Sequence, residues 1–261
     1  MRIATWNVNS IRARLPRVLD WLDRQRPEVV CLQETKCVDE QFPRAEVEAL
    51  GYEVVTHGQK TYNGVAILSR EGLGEVVRGF PDDGPDAEAR VIGATVGDVA
   101  VLDLYVVNGK EVGSDKYAYK LDWLQRLHDF IDGQYASSGG RLAGKLVVTG
   151  DFNITFDDRD VYDPDGWRDR ILCSDPERDA LAQVMSLGLS DAFRRFEQES
   201  GHYTWWDFRT RGFERGNRGL RIDHFLLSDE ALAACTGVEV DLEARGGEKP
   251  SDHAPVIATL G

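Results

Sequence analysis

Only four cysteines, Cys31, Cys37, Cys173 and Cys235, occur in 261 residues, and no two form a C-x-x-C pair. That scatter argues against a disulfide framework and against a thiolate zinc site. It predicts reduced thiols, with Cys31 a small core residue inside an apolar run. No apolar stretch approaches the roughly 18 residues of a bilayer span, so no membrane partner is expected. The opening residues, Met1-Arg2-Ile3-Ala4-Thr5-Trp6-Asn7, lack the apolar segment and small-residue cleavage site of a secretion signal and read as a strand; a cytoplasmic protein is expected. Repeats and low-complexity tracts are missing, and no shift in composition marks a boundary. One domain over residues 1–261 is the expectation, and an apolar share of 42% is enough to give it a full core. Lysine is scarce as well, supplying 7 of the 31 basic residues. Arginine suits phosphate gripping, although genome composition or a saline cytoplasm explains the bias as easily.

Negative charge is abundant. A formal net charge of −14 sets up a field that repels a polyanion. Two features weaken that objection. A metal site can itself be built from carboxylates, and the basic residues are unevenly spread. Arg209, Arg211, Arg215, Arg218 and Arg221 fall in one stretch with Phe208 and Phe213. A solvated loop is the plain alternative for that cluster.

Apolar patterning predicts strands at 2–6, 28–32, 52–56, 64–69, 75–78, 89–96, 99–106, 145–150, 223–227, 237–241 and 255–259. Ser10 is placed to cap a helix that Pro27 stops, and a short helix is expected at 43–50. Tyr117, Leu121, Leu124 and Ile131 mark the buried stripe of a long helix, and another fits 176–187. Residues 80–86, 107–114 and 137–140 read as loops, and 154–176 as irregular. Strands interleaved with long helices suggest two packed sheets with helices outside.

Five apolar runs are bordered by polar residues: Thr5-Trp6-Asn7-Val8-Asn9, Leu32-Gln33-Glu34-Thr35, Gly150-Asp151-Phe152-Asn153, Ile222-Asp223-His224 and Ser251-Asp252-His253. Alone, each is explained by a turn, a cap or a solvated charge. Together they pool Asn7, Glu34, Asp151, Asn153, Asp223, Asp252 and His253, a set of oxygen donors with one imidazole and no thiol. Such a set suits a hard cation, Mg²⁺ or Mn²⁺, and phosphate-ester hydrolysis. The cation and imidazole offset charge growing on phosphorus oxygens, and a carboxylate activates water.

These stretches carry a resemblance. Thr5-Trp6-Asn7-Val8-Asn9-Ser10-Ile11-Arg12, Leu32-Gln33-Glu34-Thr35-Lys36, Gly150-Asp151-Phe152-Asn153-Ile154, Tyr203-Thr204-Trp205-Trp206-Asp207, Asn217 to His224 and Ser251-Asp252-His253-Ala254-Pro255 run in the order seen in the exonuclease III family of abasic-site endonucleases. The sequence resembles that family, part of the endonuclease/exonuclease/phosphatase superfamily, over essentially its whole length.

The resemblance implies a four-layered α/β sandwich, two packed mixed β-sheets flanked by helices. It implies a monomer that cuts double-stranded DNA 5′ to abasic sites, leaving a 3′-hydroxyl, and that also removes nucleotides from 3′ ends as a 3′-to-5′ exonuclease and clears blocked 3′ ends, with Mg²⁺ as cofactor and Mn²⁺ as substitute. By position, Glu34 and Asn7 resemble metal ligands, with Asp252, Asp151 and Asn153 beside them. Asp151 resembles the group that activates water, and Asn153 the amide that holds it. His253 resembles the phosphate-contacting imidazole, Asp223 its orienting carboxylate, and Tyr105 the active-site tyrosine. Trp205, Leu220 and Ile222 resemble the walls that receive an extruded sugar. Asn108, Lys116, Lys120, Arg209, Arg211 and Arg218 are weaker candidates for gripping DNA from loops 109–116 and 208–221. The family often reads Val-Pro-Asn-Gly where this chain has Val106-Val107-Asn108-Gly109, which leaves the path of 109–116 less determined. Two other readings stay open: a phosphoesterase for inositol-phosphate or sphingomyelin substrates, and a binding protein that kept the fold without its chemistry.

Overall fold

The computed structural model describes residues 1–137 and 142–261; most of the turn expected at 137–140 lies outside them. Four strands open the chain: β1 (Arg2–Asn7), β2 (Val29–Gln33), β3 (Glu53–His57) and β4 (Val65–Ser69). Six more follow: β5 (Gly74–Arg78), β6 (Val91–Val96), β7 (Val99–Tyr105), β8 (Lys145–Asp151), β9 (Leu189–Asp191) and β10 (Asp223–Ser228). The last two, β11 (Cys235–Val240) and β12 (Val256–Leu260), return to the first group. The strands form two six-stranded sheets, ordered β11-β12-β1-β2-β4-β3 and β5-β6-β7-β8-β10-β9. Both are mixed, as expected.

Seven α-helices are described: α1 (Ile11–Gln25), α2 (Arg44–Glu48), α3 (Asp115–Tyr135), α4 (Pro164–Trp167), α5 (Asp175–Met185), α6 (Phe193–Phe196) and α7 (Asp229–Ala234). Ser10 caps α1 by accepting the Ala13 amide at 3.4 Å, as the sequence predicts. The segment 154–176 is less irregular than expected, holding α4 and a 3₁₀ turn at Asp158–Asp160. Among the described residues no helix is long and apolar enough to cross a membrane.

Strand alternation sorts side chains into three apolar layers. Ile3, Cys31, Ile67, Val101, Val147 and Phe225 lie between the sheets. The intervening residues Ala4, Val30 and Leu32 face outward onto Trp21 and Leu22 of α1. On the other side Leu102, Leu104, Leu146 and Val148 face Trp123, Leu124 and Leu181 of α3 and α5. Near-continuous apolar runs in β2 and β8 follow from burial on both faces. Truncating a central residue such as Phe225 to Ala costs about 3–5 kcal/mol, because the sheets cannot collapse into the gap. All four cysteines are free and buried, as their spacing predicts.

This topology brings the polar strand ends together. β1 runs parallel to β2 and β7 parallel to β8, so all four finish at one edge of the sandwich. β12 is antiparallel to β1, and β10 to β8, so these two begin there.

Candidate active site

Asn7 stands at the centre of that edge. Its Nδ2 donates to Glu34 Oε1 and to Asp151 Oδ2, both at 2.8 Å, linking the two sheets through one amide. Its Oδ1 accepts the Asn9 backbone N–H at 2.9 Å. Glu34 adopts a left-handed backbone with φ 52°, which turns its carboxylate back over the strand end. Its Oε2 pairs with Lys36 Nζ at 2.6 Å, and Lys36 in turn donates to Asn9 Oδ1 at 2.7 Å.

Asp151 ends β8 after Gly150, whose φ is 137°. A Cβ on Gly150 would lie 1.9 Å from the Leu104 carbonyl oxygen, so only glycine lets β8 pass β7 at that point. Asp151 Oδ1 accepts the Asn153 N–H at 2.9 Å. The Asn153 side chain donates from Nδ2 to the Val106 carbonyl at 3.1 Å and accepts from Asn108 Nδ2 at 3.0 Å.

His253 is buried with Nδ1 2.9 Å from Asp223 Oδ2 and Nε2 3.7 Å from Asp151 Oδ2. One oxygen each of Glu34 and Asp151 and a ring nitrogen of His253 lie within 4.8 Å of one another. Burial alone would depress the imidazole, but the Asp223 and Asp151 carboxylates outweigh it and raise its pKa to about 10. A protonated imidazole has no lone pair to give a metal, which leaves the Glu34 and Asp151 oxygens as the groups of this cluster that could hold a cation. Burial pushes the Asp151 carboxyl up to about 7, with His253 and Asn7 opposing the rise and Asp223 and Glu34 adding to it.

Tyr105 ends β7 beside this cluster. Burial, reinforced by Glu34 and Asp151, raises its hydroxyl pKa well above the ordinary value, so the phenol keeps its proton. Arg90 lies 4.8 Å from the Tyr105 ring centre and donates to the Tyr105 carbonyl at 3.1 Å. A lone arginine at a strand's start gives no sign of that role in the sequence. Lys36 falls inside one of the motifs, yet nothing there marks it as the partner of Glu34.

The remaining sequence candidates divide. Asp252 stands one step back, its oxygens taken by Asn9 Nδ2 at 2.9 Å and Trp205 Nε1 at 3.1 Å. Trp205 is half-buried and its backbone bridges to His253. Leu220 and Ile222 are fully enclosed against Val161, Leu172 and Cys173. Asn108, Lys116, Arg209, Arg211 and Arg218 are exposed, with Lys116 Nζ 3.9 Å from Glu88. Lys120 corrects the sequence reading. Its side chain is 0% exposed, so it reaches no ligand from outside. Arg221 of the arginine-rich stretch is interior too. Its guanidinium grips Asp160 at 2.7 and 3.0 Å and Asp191 at 2.7 Å. It also approaches His224 Nδ1 at 3.1 Å. Burial, aided by Arg221, lowers the His224 pKa to about 4, leaving a neutral ring whose Nε2–H donates to the Ile154 carbonyl at 2.7 Å.

Comparisons with known proteins agree with this geometry. Residues 4–253 match the model of the endonuclease/exonuclease/phosphatase family. The chain is 35% identical to exodeoxyribonuclease III of Haemophilus influenzae, covering 99% of each chain. It superposes on a 3′ phosphatase from Neisseria bound to a product DNA hairpin with a TM-score of 0.95 and 44% identity, covering 100% of this chain and 99% of the other. An AP endonuclease from Archaeoglobus fulgidus gives a TM-score of 0.93 at 35% identity, with 100% and 99% coverage. The two six-stranded sheets, the helices outside them, and the matched span from β1 to His253 show that this chain belongs to the endonuclease/exonuclease/phosphatase family.

Proposed function

We propose that the protein is a DNA-repair phosphodiesterase acting as one unit over residues 1–261. It hydrolyses the backbone of double-stranded DNA 5′ to abasic sites, leaving a 3′-hydroxyl, removes nucleotides from 3′ ends and clears blocked 3′ ends. The observation that carries this reading is the meeting of Glu34, Asp151 and His253 from strand ends of both sheets.

The donor chemistry fits a hard divalent ion. Glu34 and Asp151 present carboxylate oxygens, and burial, which chiefly raises the Asp151 pKa, penalises a charge that a bound cation would offset. Glu34 would be the principal holder of Mg²⁺, with Mn²⁺ able to substitute. Asp151 borders the same space, and Asn7 would keep the two carboxylates together. When bound, the ion supplies Lewis-acid stabilisation of charge on the phosphate. Asp151 would accept a proton from the attacking water, and a pKa of about 7 suits that task at neutral pH.

His253, held cationic by Asp223, would contact a non-bridging phosphate oxygen and offset its charge. Tyr105, which keeps its proton, would donate a hydrogen bond to the same phosphate. Asn153 would fix Asp151 through its N–H. Trp205 would line the sugar site, and Asn108, Lys116, Arg209 and Arg218 would grip the duplex. We further propose a monomer working on DNA in the cytoplasm.

A second reading, with 3′-end removal as the main activity, is favoured by two observations. The Neisseria 3′ phosphatase is 44% identical to this chain, against 35% for the Archaeoglobus AP endonuclease. Leu220 and Ile222 are enclosed in an apolar cluster rather than facing an open sugar site. The deciding experiment compares an abasic-site duplex with a 3′-phosphate duplex, with and without Mg²⁺, identifying the product ends. Cleavage of neither duplex in Mg²⁺ or Mn²⁺ would sink both readings and leave a binding protein.

A further inference from the structure

Lys120, on α3, has all three ammonium protons engaged inside the protein. Its Nζ donates to the Asn153 carbonyl at 2.7 Å and to the Asn108 carbonyl at 3.2 Å. The third proton goes to Glu177 Oε1. Both charged side chains are 0% exposed, so water cannot stand in for either partner.

Glu177 is itself held. Its Oε1 accepts the Leu172 N–H at 3.1 Å, and its Oε2 accepts the Ser174 hydroxyl at 2.6 Å. The Ser174 hydroxyl lies 2.7 Å from the Tyr117 hydroxyl, back on α3. The pair therefore joins α3 to the start of α5 and to the two loops that carry Asn153 and Asn108.

Asn153 has a left-handed backbone, φ 51°, a conformation asparagine tolerates better than most non-glycine residues. Its N–H is held by Asp151 and its carbonyl by Lys120. Gly109 packs against the lysine stem, where a Cβ would sit 3.1 Å from Lys120 Cδ and 2.8 Å from Ile171 Cδ1. The stem is thus closely fitted, and the ammonium sets the separation of the two loops.

We propose that Lys120 is a positioning residue for the phosphoester hydrolysis: one buried ammonium, held by Glu177, fixes Asn153 and Asn108, and through Asn153 the orientation of Asp151. The inference rests on the function proposed above. It differs from an ordinary structural ion pair in what it predicts. Loss of the ammonium lowers turnover more than substrate affinity, because the groups it holds act on the reacting phosphate.

The test uses Lys120→Met, which keeps the stem and removes the donors, beside Leu127→Ala, a core truncation on the same helix. Both are assayed on the duplex the wild type cleaves, at a temperature where circular dichroism shows each folded. Lys120→Met is expected to lower kcat by about 100-fold or more with KM within about threefold, while Leu127→Ala keeps kcat within about threefold. Should Lys120→Met fail to fold, Lys120→Gln is read against the same control. Lys120→Arg, which keeps charge and donors, is expected to recover part of kcat. Equal losses of kcat in the lysine variant and Leu127→Ala, or an unchanged kcat in the lysine variant, would overturn the proposal. A wild type that cleaves neither duplex refutes the proposed function instead, so the two failures are distinct.

Discussion

Asp223→Asn removes one of the two carboxylates facing His253 while keeping the shape of the side chain and an oxygen to accept the Nδ1 proton. The ring nitrogen lies 2.9 Å from Asp223 Oδ2, and the two charge centres are a little farther apart. At about 4 Å and an effective dielectric of about 20, their attraction is about 4 kcal/mol. At about 1.36 kcal/mol per unit, that is about three pKa units. The imidazole at about 10 in the wild type should therefore titrate at roughly 7 in the variant. The assay is long-range ¹⁵N–¹H correlation of the histidine rings in metal-free protein under chelator, from about pH 5 to about 11, with His253 assigned from His253→Gln. His224, at about 4, serves as a buried ring that moves the other way. Stability gives a second readout. A folded pKa above the unfolded one means that the contribution of His253 is fully present below about 6.5 and is lost as pH rises through about 10. In Asp223→Asn that loss should be complete by roughly pH 7 and correspondingly small. A wild-type ring titrating at or below about 7, or a shift of less than about one unit in the variant, would refute the reasoning.

Three further outcomes are expected. Asp151→Asn should lower turnover by about 10²–10⁴-fold while leaving duplex binding within a few-fold; a loss of rate below about tenfold would remove Asp151 from the role of base. Excess chelator should abolish cleavage, with Glu34→Gln raising the Mg²⁺ concentration needed for half-maximal rate; full activity in chelator would end the proposed role of Glu34. Asp103, between the sheets, receives Gln33 Nε2 at 2.6 Å, but its Oδ2 finds no partner among the described residues. Burial pushes its carboxyl well above the ordinary value, partly opposed by that hydrogen bond. Its contribution to stability is therefore present below about 4 and lost as pH rises through the folded pKa. Asp103→Asn should flatten that fall, raising Tm at about pH 8 by roughly 2–4 °C for each kcal/mol recovered. Parallel pH profiles for the two proteins would contradict it.

The architecture and the centre of the site were legible because both are written in short local patterns. Apolar runs ending in Asn7, Glu34 and Asp151 give both the strand and the polar end that the fold brings together. Charges whose partners are distant in sequence were not legible. Lys120 meets Glu177 and Arg221 meets Asp160, and nothing beside either basic residue separates an interior charge from a solvated one. Asp103 did leave a sign, since it shares the inward face of β7 with Val99 and Val101, where a carboxylate breaks the apolar alternation. β9 and α6 are only three and four residues long, too short to develop a period.

The order in which the chain closes its first sheet has a consequence during synthesis. β12 lies between β11 and β1, so a slot in the middle of that sheet stays empty until residues near 260 have left the ribosome. His253 arrives only shortly before them. A chain synthesised only as far as residue 250 therefore carries Glu34, Asp151 and Asp223 but not His253, and the cluster is incomplete until β12 docks beside β1.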